Sequence, residues 1–365
     1  VLSYSRLPPA IERILDAAHW APSGDNAQPW RFEVQTDNRF DVLVRIEPGN
    51  VYEYRQGEPT LISAGTLLEN IAIAAPSFGK KASWDYAGFA GQEHRIQVEL
   101  RDDAEAAAHP LFPVIERRSV DRRPYQMTPL SAAQRQALAA AVGPEFPLEW
   151  HEGLSDRRKI AALTRLATDI RLRIPETFAI HNHVVDWKRD YSPDGIPARA
   201  LGLDAMTLKI MRWTLAKRQR TEMANRMGSP FFAGLQMDFL PGIFSAAYFS
   251  FRLRPRAAQP AEAVRQLLRA GQAVQRFWLT ATQLGLVMQP CLAALAFAHY
   301  GAADEAFTVS QAERRKAAVL ARRVEKDLPD PKSLVFLGRI GTPVAAKQDS
   351  RSLRVPLAEL VREGA

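Results

Sequence analysis

A chain of 365 residues, 47% hydrophobic and 24% charged, has ample apolar material for a packed core and is long enough for two domains. A net charge of +8 would suit a polyanion, but the basic residues are interleaved with acids, as in the stretch 311–326 with Glu313 and Glu325, and no aromatic-basic repeat occurs, so nucleic acid is not the expected partner. The single cysteine, Cys291, excludes a disulfide framework and a multi-cysteine zinc site. With no apolar run of the roughly 18–20 residues a span requires and no signal-peptide core in the first six residues, a cytoplasmic protein without a membrane partner is expected.

The apolar spacing of Ile11, Ile14, Leu15 and Ala18 predicts a helix over 9–20, opened by Pro9. Alternating runs predict strands over 30–35 and 40–46, and a long apolar helix should cover about 60–78. That helix contains Ala64-Gly65, Ala75 and Gly79. Ala270-Gly271, Ala281 and Gly285 repeat the pattern downstream without a gap, small residues permitting close helix approach and the last glycine a C-terminal stop. A strand over 94–100 closes a first half, 1–109. A second half, 110–365, restarts with a helix opened by residues 128–131 and continues with helices at 155–173 and 176–187. Methionines and aromatics crowd 199–256, which reads either as a lid over a flat ligand or as extra helices packed on the core. The chain ends with a strand over 333–341 and the segment 349–361. His181 and His183, two apart on a helix, point to different faces and are expected at the surface rather than on a metal.

Two polar segments stand out. Between the first helix and first strand lies Ala21-Pro-Ser-Gly-Asp-Asn-Ala-Gln-Pro-Trp30, where Pro22 stops the helix, Gly24 offers conformational freedom, and Ser23 and Asn26 carry short polar side chains. Read alone, the decapeptide is equally well explained as an ordinary turn. About a hundred residues on comes Glu116-Arg-Arg-Ser-Val-Asp-Arg-Arg-Pro-Tyr125.

Together these segments resemble the A-P-S-x-x-N-x-Q-P-W loop and the Arg-Arg-Ser segment of the nitroreductase family. The resemblance implies an α+β fold with an antiparallel-rich sheet flanked by helices, here duplicated within one chain as a pseudo-dimer. It also implies FMN held without a covalent bond, NADH or NADPH as reductant, and a small aromatic acceptor such as a nitroaromatic, a quinone or a specialised metabolite. Carried over by position, Pro22, Ser23, Gly24 and Asn26 would approach the flavin ring. Arg117, Arg118 and Ser119, with Arg354 or Arg351 from the terminal segment, would take its phosphate, and Gln289 and Pro290 would lie beside its reactive edge. No separate acid-base residue is implied.

The pattern is not complete. Asp121 stands where a second basic residue is usual and should turn away or pair with a neighbouring arginine, and the acidic-glycine pair usual near Gln289 is missing. The latter leaves a flavin-sequestering or flavin-sensing protein as the alternative to a reductase. Because the first half lacks an Arg-Arg-Ser segment and the second lacks the loop, one FMN per chain is expected.

Overall fold

The computed structural model describes residues 2–344 and 349–362. α1 (Pro9–Ala18) buries Ile11, Ile14, Leu15 and Ala18, the spacing that predicted it. β1 (Trp30–Thr36), β2 (Arg39–Arg45), β3 (Lys80–Ala90) and β4 (Glu93–Asp102) form an antiparallel sheet in the order β1-β2-β4-β3, with α2 (Tyr54–Ala74) between its second and third strands in sequence. β3, to which the sequence reading gave no strand, pairs with β4 along its length.

The chain continues through β5 (Tyr125–Gln126), α3 (Ala132–Val142), β6 (Leu148–His151), α4 (Leu154–Arg173) and α5 (Pro175–Val184). Two-residue strands β7 (Val185–Asp186), β8 (Tyr191–Ser192) and β9 (Ile196–Pro197) precede four short helices: α6 (Ala205–Leu215), α7 (Arg218–Arg226), α8 (Ser229–Gly234) and α9 (Leu240–Ile243). Then come β10 (Ala247–Arg252), α10 (Pro260–Gln283), β11 (Val287–Pro290), α11 (Ala293–Ala303), α12 (Gln311–Asp327), β12 (Leu334–Pro343), β13 (Arg351–Ser352) and α13 (Leu357–Leu360). The second sheet runs β11-β12-β10-β6, with β5 also on β12, all antiparallel. The expected α+β class with antiparallel sheets and flanking helices is therefore present.

β10 corrects one expectation. Its residues fall in the 199–256 stretch read as an insertion, yet every one is buried, between β12 and β6. A strand covered on both faces shows no alternation, so its aromatics blended with those of the helices before it. A second correction concerns α2. Tyr54–Phe78 is long and apolar enough to cross a bilayer by composition, but 78% of its most apolar window lies inside the protein.

α2 and α10 cross at the centre of the molecule, and the repeated Ala-Gly pairs are what meet there. A Cβ on Gly65 would lie 2.1 Å from the Leu268 carbonyl oxygen and 2.8 Å from Gly271 Cα, and one on Gly271 would lie 2.1 Å from the Ile62 carbonyl oxygen. Beyond the crossing, Gln275 Nε2 donates to Asn70 Oδ1 at 2.7 Å, and Arg276 pairs with buried Glu69 at 2.8 Å. Gly79 and Gly285, the expected helix stops, both adopt left-handed backbone, with φ of +68° and +73°. Each helix serves two cores. Leu67, Leu68 and Ile71 of α2 pack with the first sheet while Leu61 and Ile62 pack with the second, and Leu268 of α10 returns to the first.

The chain end crosses back too. Leu357, Leu360 and Val361 enter the core of the first sheet, and the Arg362 amide donates to the Phe32 carbonyl at 2.9 Å. Gly65→Ala should force α2 and α10 apart and destabilise the protein by about 1–3 kcal/mol, the usual cost of overpacking. Urea unfolding would measure it, and an unchanged midpoint would mean that the close crossing contributes nothing.

Candidate active site

The loop after α1 has strained backbone. Asp25, Asn26 and Gln28 adopt left-handed φ of +51°, +61° and +49°, conformations that non-glycine residues rarely take. The freedom expected of Gly24 is not what shapes the loop. It is held instead by side-chain amides. Asn26 Nδ2 reaches the carbonyls of Pro193, Gly195 and Leu353 at 3.0, 3.3 and 3.2 Å, and Gln28 Nε2 donates to the Pro193 carbonyl at 2.8 Å. Gln28 Oε1 accepts from the Val355 amide at 3.0 Å, and Ser23 Oγ accepts from the Gln28 amide at 2.9 Å. The loop, the 193–195 turn and the terminal segment are thus one unit.

Between this unit and the Arg-Arg-Ser segment lies a cavity of about 60 Å³. Pro22, Ser23, Asp25 and Asn26 line it from the loop, Arg118, Ser119, Val120 and Arg122 from the basic segment, and Ile196, Ala200, Arg351, Ser352 and Arg354 from the remaining sides. Pro22, Ser23, Asn26, Arg118, Ser119, Arg351 and Arg354 are therefore brought together, although they come from three distant parts of the chain. Arg117 is exposed and does not line the cavity, and neither does Gly24. Gln289 and Pro290 lie on β11, also outside the lining, with Gln289 Oε1 accepting from Arg339 Nε at 2.9 Å.

The electrostatics of the cavity are one-sided, four arginines to one carboxylate. Arg118 is buried. It donates to the Trp20 carbonyl at 3.1 Å and lies 4.5 Å over the Trp278 ring, while its Nε has no hydrogen-bond partner among the described residues. Arg351 donates to the Glu116 carbonyl at 2.7 Å and lies over Trp20, and its Nε is likewise unpartnered. Arg354 differs. Its guanidinium donates to the carbonyls of Trp20, Ala21 and Leu353 and to Asn26 Oδ1, so it fastens the loop to the terminal segment. Burial first, then repulsion within the trio, depresses the pKa of Arg118, and burial followed by Arg351 takes that of Arg354 to about 9. A buried group of cations bonded to carbonyl oxygens rather than carboxylates is favourable ground for an anion.

Two neighbours were not legible as site residues. Arg122 lines the cavity and donates to the Ala200 carbonyl at 3.3 Å. Asp121 pairs with Arg123 at 2.7 Å, as a displaced acid should. Arg339 donates to the carbonyls of Arg122 and Arg123 at 2.8 and 3.0 Å, tying β12 to the basic segment. Further polar groups lie half-buried nearby: Arg171 is 4.0 Å from Asp238, and the Tyr52 hydroxyl meets His181 Nε2 at 3.0 Å. His181 is consequently not the surface residue expected, and burial, with Arg171 adding repulsion, lowers its pKa to about 3. His183 is exposed.

The nitroreductase family model matches residues 8–48, the span of α1, the loop and the first two strands. No curated protein matches the chain. Among solved structures, a nitroreductase-like family protein from Bacillus cereus aligns at 11% identity over 70% of this chain and 96% of its own, with a TM-score of 0.35. A nitroreductase with bound FMN from Desulfitobacterium hafniense aligns at 13%, over 68% and 95%, with a TM-score of 0.35. The FMN-dependent nitroreductase NfnB from Mycobacterium smegmatis, in complex with NADPH, aligns at 15%, over 69% and 96%, with a TM-score of 0.36. The sequence resemblance thus holds for the segment that carries the loop.

Asn26→Ala would remove the amide donor that the carbonyls of Pro193, Gly195 and Leu353 share, each keeping one other donor, and should cost about 0.5–1.5 kcal/mol. Limited proteolysis should show faster cleavage between 189 and 197; wild-type resistance there would remove Asn26 as the fastening. Cys291 is half-buried beside Gln289, and burial, only partly offset by Arg339, pushes its thiol up to about 12. The thiolate is therefore scarce at pH 8, and iodoacetamide should label the native chain far more slowly than the denatured one. Equal rates would contradict that environment.

Proposed function

We propose that this chain is an FMN-dependent oxidoreductase that takes electrons from NADH or NADPH and passes them to a flat aromatic acceptor, such as a nitroaromatic, a quinone or a specialised metabolite. One observation carries the reading: buried Arg118 and half-buried Arg351 and Arg354 gather around the loop that matches the nitroreductase family, with two Nε–H groups unpartnered among the described residues. Those donors suit a phosphate dianion. When bound, FMN would supply hydride acceptance and onward electron delivery.

The chain's own residues would do the rest. Arg118 and Arg351 would hold the phosphate, with Ser119 beside them and Arg117 adding charge at the rim. Arg354 would lend charge while keeping Ala21 and Asn26 in place. Pro22, Ser23, Gly24 and Asn26 would meet the ring, and Gln289 and Pro290 would border its reactive edge, where fixed dipoles stabilise added charge. The cavity as it stands has room for a phosphoryl group, not for a three-ring system. We take residues 1–109 and 110–365 as two halves of a pseudo-dimer, the first supplying the loop and the second the arginines, and the helices between 199 and 243 as a lid. One FMN per chain follows. The narrow cleft also favours a second reading, a flavin-sequestering protein with little reductase activity.

Purified protein should be yellow and release about one FMN per chain, the count our reading of two unequal halves gives. Removing a charged hydrogen bond costs about 1.5–3 kcal/mol, so Arg118→Ala with Arg351→Ala should weaken flavin binding by at least tenfold. Retention by the double variant would place the site elsewhere, and two flavins per chain would refute the single-site reading. Anaerobic NADH or NADPH should bleach the flavin; a holoprotein that neither bleaches would be the sequestering protein instead.

A further inference from the structure

The short helices between the cavity and β10 carry an outer surface that the fold leaves uncovered. In α6, Leu208 and Met211 pack on Val185, Ile196 and Leu201, and Leu215 is buried. At 100° per residue, Met206, Ile210 and Trp213 fall on the opposite side, and all three are exposed, Met206 by 73%. A helix apolar on two opposite sides is ordinarily covered on both. Met223, Met227, Phe231 and Phe232 of the following helices are exposed as well, Met227 by 77% and Phe232 by 66%. The helices form one unit: Thr221 Oγ1 donates to the Thr214 carbonyl at 2.9 Å, α7 passes to α8 through Gly228, and Gln236 donates to Asp204, the N-cap of α6, at 2.7 Å.

Charge identifies the occupant. Lys209, Arg212, Lys217, Arg218, Arg220 and Arg226 face a single acid in the same stretch, Glu222, which Arg218 already holds at 2.9 Å. Arg220 lies 4.9 Å over the Trp213 ring, and Lys209, Arg212, Lys217 and Arg226 are exposed. A second copy of the chain docked symmetrically on this surface would set these cations against their own equivalents. Methionine, phenylalanine and tryptophan mixed with lysine and arginine are instead the makeup of helices that lie in a lipid interface, where apolar groups enter the headgroup boundary and cations meet phosphates.

We propose that residues 205–232 dock the protein onto an anionic bilayer surface, with Met206, Ile210, Trp213 and Phe232 entering the interface and Lys209, Arg212, Lys217 and Arg226 meeting lipid phosphates. This requires no spanning helix and does not depend on the flavin. It departs from the sequence expectation of no membrane partner, which rested on the lack of a spanning run and of a signal-peptide core.

The test is co-sedimentation of the full chain with phosphatidylcholine vesicles with and without phosphatidylserine. Binding to the mixed vesicles only, reversed by high salt, is expected. One cation near such a surface contributes about fivefold in partition, so Lys209→Glu, Arg212→Glu and Arg226→Glu together should reduce binding by at least tenfold. Met206→Ser, Trp213→Ser and Phe232→Ser, all at exposed positions, should abolish it with circular dichroism unchanged. Equal binding to neutral vesicles, no binding, or wild-type binding by either triple variant would overturn the proposal. So would a dimer in light scattering that Trp213→Ser dissociates, which would make a second copy the occupant.

Discussion

Two glycines set how closely α2 and α10 approach. Gly65 and Gly271 bring α2 and α10 together with each backbone against the other, and a Cβ on either would lie within 2.1 Å of a carbonyl oxygen. Because each helix contributes to both hydrophobic cores, the crossing fixes one sheet relative to the other. It also settles where the candidate-site segments lie, since the loop after α1 belongs to one core and the basic segment runs along the other. Thr66 Oγ1 donates to the Pro22 carbonyl at 3.2 Å, and Val120 bridges to Met288. A shift at the crossing would move the two sides of the cavity apart.

The cavity itself shows how a cationic site is kept folded. Buried guanidinium groups are costly unless hydrogen-bonded. Here the compensation comes from backbone carbonyls and from the faces of Trp20 and Trp278. Carbonyls and rings satisfy donors without cancelling charge, whereas a carboxylate would do both. Asp121, beside Arg122 in sequence, is instead turned onto Arg123, which leaves Asp25 as the one carboxylate in the cavity lining. The positive potential survives where the loop, the basic segment and the terminal segment meet.

The helices from α6 to α9 extend this arrangement outward. Ala200, just before them, lines the cavity, and Asp238, within them, approaches Arg171 at 4.0 Å. Their inner side is therefore part of the same polar interior, while their outer side carries methionines, aromatics and cations. Sequence composition marked the whole stretch as unusual, but only the pairing of β10 with β6 and β12 separated a core strand from the helices preceding it.

The sequence by itself determined the local structure and the chemistry available. Spacing gave α1, β1, β2 and α2, Gly79 and Gly285 ended their helices, and the repeated Ala-Gly pairs marked a close approach. The loop and the arginines were legible as site segments only through their resemblance to the nitroreductase family, since the loop read alone is equally an ordinary turn. Distance in the chain hid the rest. Only the tertiary structure brought Arg351 and Arg354 to Trp20, placed Arg122 in the cavity lining, left Arg117 and Gly24 outside it, and gave the left-handed backbone to Asp25, Asn26 and Gln28. Those outcomes depend on which carbonyls lie within reach of a given guanidinium or amide, and that is fixed by how two sheets and two crossing helices pack, not by any residue's neighbours in sequence.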